Sequence, residues 1–155
     1  ECYGIREGFN GILLPERYPD GGVFRLARDR VRGIGHLGGT ILGTTNKGNP
    51  LHFPMKMSDG TTKDMDLSGD ILAFFARKEI DALVSIGGDG SLTIANALHQ
   101  KGLRVVGVPK TIDNDLDKTF TTFGFDTAVG FATECLDRLH STAESHQRVM
   151  VVGRM

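Results

Sequence analysis

Apolar positions after residue 67 follow two alternating rhythms. Ile71, Leu72, Phe74, Phe75 and Ile80 fall at helical spacing and predict a helix over 68–78. Ala82-Leu83-Val84-Ser85-Ile86 is a nearly unbroken apolar run, as in a strand covered on both faces of a parallel sheet. Ser91–Gln100 returns to helical spacing, with Leu92, Ala95 and Leu98 on one side, Ser91 as N-cap and Gly102 as the stop. Val105–Val108 is the next buried strand, and Pro109 is expected to end it, since proline donates no N–H to a ladder. Phe125–Leu139 predicts a second long helix through Ala128, Phe131, Ala132, Cys135 and Leu139, and Val149–Val152 a further strand. Helix alternating with strand predicts an α/β domain. Its expected form is a three-layer, Rossmann-like parallel sheet with helices on both faces and right-handed crossovers.

The earlier part of the chain is less regular. Residues 2–5 read as a strand, Gly8–Gly11 as a turn and Pro15–Gly22 as a surface loop. Val23–Val31 suits a short helix, Gly38–Gly43 an extended segment and Thr44–Pro50 a loop. Residues 51–66 fit a hairpin or an insertion around the turn at Ser58-Asp59-Gly60. No repeat, low-complexity tract or internal domain boundary is visible, so 1–155 reads as one domain or part of one. It opens without Met on a strand already under way and stops just past an apolar run, as an internal fragment would.

Composition narrows the function classes. Hydrophobic residues make up 39% and charged residues 24%, as in a globular protein with a buried core. The net charge of −1 gives no electrostatic support for nucleic-acid binding. No apolar run approaches the roughly 18 residues of a membrane span, and no signal-peptide pattern is present, so a cytoplasmic location is expected. Cys2 and Cys135 have no metal-ligand spacing and read as buried free thiols. The five histidines likewise lack ligand spacing and suit surface or capping positions, and Arg25, Arg28, Arg30 and Arg32 suit a solvated helix face. Glycine is the outlier, 21 of 155 residues, about twice the usual share of ~7%.

Two short stretches carry the chemistry. Gly87-Gly88-Asp89-Gly90-Ser91 joins a strand to a helix. Glycines there offer N–H donors to a phosphate with no Cβ in the way, and the helix adds its positive end. A bare carboxylate among such donors would repel the ligand, a conflict that resolves if Asp89 meets Mg²⁺. Pro109-Lys110-Thr111-Ile112-Asp113-Asn114-Asp115 follows the next strand. Two acids at this spacing suit a general base for a hydroxyl, while Lys110 and Thr111 suit phosphate. A plainer reading is an acidic loop in which Asn114 and Asp115 make turn hydrogen bonds. In parallel α/β sheets ligands bind at the carboxyl ends of strands, where both stretches fall.

The pair GGDGS and PKTIDND closely resembles the phosphofructokinase family. Ile34–Thr44, Phe123–Ala128 and Ser145–Arg148 resemble further family segments in the same order. The resemblance implies a partial phosphofructokinase nucleotide-binding domain over 1–155, lacking the family's N-terminal strand-turn and its C-terminal half, and inactive by itself. It implies that Gly88, Asp89, Gly90 and Ser91 hold the phosphates of ATP, with Asp89 on Mg²⁺ and Asn46 and Lys47 flanking the donor. Thr111, Ile112, Asp113 and Asp115 would surround fructose 6-phosphate, with Asp113 taking the proton of its 1-hydroxyl. Arg148 would reach the 6-phosphate, in this family often from a neighbouring subunit, which implies a homo-oligomer, a dimer or tetramer. Lipid and NAD kinases also use a GGDG loop but lack the PKTIDND element. A nucleotide-binding regulatory subunit is disfavoured by the retained Asp89, Asp113 and Asp115.

Three departures stand out. Many bacterial ATP-using members have Arg where this chain has Asn46, and Gly where it has Lys110. The family's Met-Gly-Arg motif aligns without a gap if Met155 is its first residue, a substrate contact, rather than at Gly153-Arg154. Gly90 and Lys110 match the family's donor-selecting positions. Pyrophosphate users tend to carry Asp where Gly90 stands, which would repel and obstruct the α-phosphate of ATP, but they have Lys at the position of Lys110, and some ATP users also combine Gly and Lys at these positions. Steric exclusion outweighs one flexible cation, so ATP is the expected donor and pyrophosphate the alternative.

Overall fold

The computed structural model describes residues 1–153. They form two compact units, Glu1–Leu83 with Asn96–Val105, and Val84–Ala95 with the chain from Val106 on.

In the first unit β1 (Tyr3–Ile5) pairs antiparallel with β2 (Val23–Arg25), Gly4 opposite Phe24. Between them lie α1 (Asn10–Leu13), where a turn was expected, and a 3₁₀ turn at Pro15–Arg17. Val23–Val31 is therefore not one helix. Its first three residues complete the ladder with β1, and only α2 (Arg28–Val31) is helical. Aromatic and β-branched side chains favour that pairing, and the Arg6 guanidinium covers the Phe24 ring at 4.4 Å. The arginines do not share one helix face: Arg25 pairs with Glu1 at 3.2 Å from the strand. Gly38–Gly43 forms turns rather than a strand, because its carbonyls turn to the Arg6–Glu7 segment. The Ile41 carbonyl accepts from the Arg6 guanidinium at 2.9 Å and the Leu42 carbonyl from the Glu7 N–H at 3.0 Å.

Residues 51–66 resolve as a hairpin, β3 (Phe53–Lys56) against β4 (Thr62–Met65). Asp59 closes it by accepting the Thr61 N–H at 2.9 Å. α3 (Ser68–Arg77) matches the predicted helix, with Ile71 and Phe75 buried. Before its first turn the Asp66 carboxylate accepts the Ser68 N–H at 2.9 Å and pairs with Lys101 at 2.7 Å. Bonds from Lys101 and then Ser68 hold the Asp66 carboxyl well below the usual carboxylate range. Ile12, Pro50, Phe53, Ile71, Phe75, Leu83, Leu98 and Leu103 are among this unit's buried apolar residues.

The second unit holds, apart from the first residues of two strands, a parallel sheet in the order β5-β6-β7. These are β5 (Leu83–Gly87), β6 (Val105–Thr111) and β7 (Phe123–Gly124). α4 (Asp89–Gln100) follows β5, and a Cβ on Gly107 of β6 would stand 3.1 Å from Leu92, so that glycine lets helix and strand approach closely. α5 (Phe125–Ser145) follows β7 and outruns its predicted end by six residues, 139 to 145. β6 does not stop at Pro109. β7 pairs only with Lys110 and Thr111, so β6 is an edge on that side at Pro109, where a missing N–H is tolerated. β5 and β6 are apolar as expected, yet Val84, Ile86 and Val106 are exposed in this chain. Val149–Val152 forms no strand, since no strand of the described residues pairs with it. Cys2 is exposed rather than buried, and both cysteines are free.

Candidate functional site

The glycine turn begins inside β5. Gly87 is its last residue, and a Cβ there would sit 2.5 Å from both the Cβ and the hydroxyl oxygen of Ser91. Ser91 thus folds back over the strand end from the third residue of α4 and is not the N-cap. The helix already starts at Asp89, where an acidic side chain meets the positive end of the helix. A Cβ on Gly90 would meet nothing within 4 Å, so this side of the turn is open. Asp89, Gly90 and Ser91 are all exposed. Asp89 makes no ion pair among the described residues.

The acidic stretch sits on the end of β6. The Thr111 hydroxyl donates to Asp113 Oδ2 at 3.3 Å and accepts the Asp113 N–H at 3.2 Å. Ile112, Asp113 and Asp115 are exposed, and Lys110 is exposed beside them. Asn114 has a φ of +52°, a left-handed conformation that asparagine tolerates better than most residues. Its carboxamide oxygen accepts the Thr122 N–H at 2.9 Å, and its NH₂ donates to the Phe120 carbonyl at 3.4 Å. The Thr122 hydroxyl donates to the Thr111 carbonyl at 2.8 Å. Asn114 therefore does make the turn bonds of the plainer reading, but around an Asp113 left open to solvent. Thr122 gave no signal in the sequence beyond being a threonine eleven residues from Thr111.

The two stretches meet. A Cβ on Gly88 would lie 3.7 Å from the Thr111 Cβ and 3.8 Å from the Lys110 carbonyl. Gly88 and Thr111 thus face each other where β5 and β6 end, the edge expected for a ligand. Asn46 and Lys47 are exposed on the loop of the first unit, where the Lys47 N–H donates to the Thr45 hydroxyl at 3.0 Å. Arg148 is exposed just beyond α5, its N–H on the Ala143 carbonyl at 2.8 Å. Met155 lies outside the described residues. Among the described residues no three His, Cys, Asp or Glu side chains are grouped to hold a metal by themselves. No helix of the described residues is long and apolar enough to cross a membrane.

Comparison with known proteins shows the family. The family model described as Phosphofructokinase matches residues 1–155. An ATP-dependent 6-phosphofructokinase 1 of Synechocystis sp. is 49% identical over 157 residues, which cover 100% of this chain and 41% of that protein. A pyrophosphate–fructose 6-phosphate 1-phosphotransferase of Amycolatopsis methanolica is 46% identical over 155 residues, 100% of this chain and 40% of that one. Among solved structures, Pichia pastoris phosphofructokinase in the T-state matches with a TM-score of 0.60 at 28% identity, over 79% of this chain and 13% of its own. The Saccharomyces cerevisiae phosphofructokinase matches in fold with a TM-score of 0.73 at 24% identity, over 94% of this chain and 20% of its own. The chain spans about two fifths of the length of the curated relatives it matches.

Proposed function

Because this chain belongs to the phosphofructokinase family, we propose that it is part of a 6-phosphofructokinase and carries the phosphoryl-transfer end of its site. The meeting of Gly88 with Thr111 supports this reading most. It brings the glycine turn beside the loop that carries the exposed Asp113. The reaction is transfer of the γ-phosphoryl group of ATP to the 1-hydroxyl of fructose 6-phosphate, giving fructose 1,6-bisphosphate and ADP in glycolysis. The domain is the nucleotide-binding one, the location cytoplasmic and the assembly a homo-oligomer.

The backbone N–H groups of Gly88, Gly90 and Ser91 bind the donor phosphates, and Asn46 and Lys47 flank the nucleotide. Asp89 suits Mg²⁺: it is one exposed carboxylate with no ion-pair partner among the described residues, and this ion usually takes one or two carboxylates together with phosphate oxygens and water. Asp89 would hold the ion there, and it would supply positive charge to offset that of the transferring phosphoryl group. Asp113 accepts the proton of the 1-hydroxyl as the sugar oxygen bonds to the γ-phosphorus and the bond to the ADP oxygen breaks. The Thr111 hydroxyl occupies Oδ2 of Asp113, and Oδ1 has no protein donor among the described residues. Ile112 and Asp115 line the sugar, and Arg148 and Met155 serve its far end.

Pyrophosphate is the second reading, favoured by Lys110 and by the relative from Amycolatopsis methanolica. The open space at Gly90 favours ATP. Full-length protein assayed with Mg²⁺, fructose 6-phosphate and either donor decides between them. Turnover with ATP that Gly90→Asp suppresses supports the first reading. Turnover with pyrophosphate alone overturns it, and none with either donor overturns the proposed activity.

A further inference from the structure

The hydrogen bonds behind Asp113 close into a ring. Thr111 holds Asp113 through its hydroxyl, while the Thr111 carbonyl takes the hydroxyl of Thr122 at 2.8 Å. The Thr122 N–H goes to the carboxamide oxygen of Asn114, the residue after Asp113, at 2.9 Å. The Thr122 carbonyl takes the Phe125 N–H at 3.2 Å, tying the ring to the first residue of α5. Every polar group of Thr122 is thus engaged, and the residue is 2% exposed. Water cannot replace a lost bond at such a position, so removing the hydroxyl leaves the Thr111 carbonyl without its side-chain donor. Asp113 is itself exposed, and its one protein side-chain partner among the described residues is Thr111. What holds Thr111 and the Asn114 side chain in place limits where the carboxylate between them can lie.

We infer that Thr122, acting with Asn114, is a positioning residue for Asp113: it holds the Thr111 carbonyl on one side of the acid and the Asn114 carboxamide on the other, and so sets where the carboxylate meets the sugar alcohol. The inference rests on the reading of Asp113 as the base.

The test uses full-length protein with Mg²⁺, ATP and fructose 6-phosphate. Thr122→Val keeps the shape and removes the hydroxyl, whereas Thr122→Ser keeps the hydroxyl. Small misplacement of a reacting group is costly, so Thr122→Val is expected to lower kcat by about 10–100-fold. KM for both substrates should stay within about twofold, a split that general loosening of the fold would not produce. Thr122→Ser should stay near wild type. Asn114→Gly, which tolerates the left-handed backbone, should also lower kcat, and it carries the test if Thr122→Val does not fold. On an Asp113→Ser background Thr122→Val should add no further loss, because the group it positions is gone. Asp113→Ser inactive with Thr122→Val at wild-type kcat overturns the positioning role alone. So does a Thr122→Ser loss equal to that of Thr122→Val, or a Thr122→Val loss that persists undiminished on the Asp113→Ser background. Normal turnover in Asp113→Ser alone overturns the base assignment instead.

Discussion

The turn after β5 and the loop after β6 stand side by side yet treat their side chains in opposite ways. From Gly88 to Gly90 the chain offers little but backbone, and the position of a Cβ on Gly90 is empty space. Between Thr111 and Thr122 the side chains of Thr111, Asn114 and Thr122 bond back to backbone. The contrast fits what each is proposed to hold. A polyphosphate brings its own charge and acceptors, so the protein needs free N–H donors and room. A proton acceptor must stay within hydrogen-bond reach of one atom, so the protein must restrain it. Bareness on one side and bracing on the other suit a site that binds with the first and reacts with the second.

The sharpest way to break this contrast is Asp113→Ser in full-length protein. Steady-state assays should show kcat lower by about 10²–10⁴-fold, with substrate binding little changed, as for loss of a general base. Next comes Gly87→Ala. The added methyl would sit 2.5 Å from Ser91 and must displace it, so urea unfolding should show a loss of about 1–3 kcal/mol, typical of overpacking. Gly90→Ala has open space, and the same measurement should find it within about 0.5 kcal/mol of wild type or slightly stabilised, since alanine is the better helix former. An equal penalty at both glycines would mean that the turn is tight throughout. The smallest effect is a control in the first unit. Lys101→Met removes the cation that most strongly lowers the Asp66 carboxyl. A carboxylate lowered in the folded state adds stability above its ordinary range and loses it on acidification. The urea midpoint of Lys101→Met should therefore fall below wild type at pH 7, and the gap should narrow progressively as the pH is lowered through and below about 4, with kcat unchanged.

The helices and inner strands were legible because each carries its own periodicity. α3 needs only Ile71 and Phe75 one turn apart to declare its buried face. β2 was not legible, because Val23-Phe24-Arg25 is a strand only by virtue of β1 some twenty residues earlier. Short apolar runs do not distinguish helix from strand by themselves. The same holds for Pro109, which stays in β6 because β7 is two residues long, and for Val149–Val152, apolar without a partner among the described strands. In the candidate site, GGDGS and PKTIDND point to the residues proposed to react, but neither names what steadies them. Ser91 reaching back over Gly87 and Thr122 bonding to Thr111 depend on chain paths that no local spacing encodes.

The central claim is that the metal-bearing cradle and the acid beside it serve one site. Paramagnetic broadening of fructose 6-phosphate labelled with ¹³C at carbon 1 tests it most directly, with Mn²⁺ and a non-hydrolysable ATP analogue bound to full-length protein. Broadening of carbon 1 that disappears in Asp89→Ala is the predicted result. A sharp carbon 1 signal with both ligands demonstrably bound would contradict it.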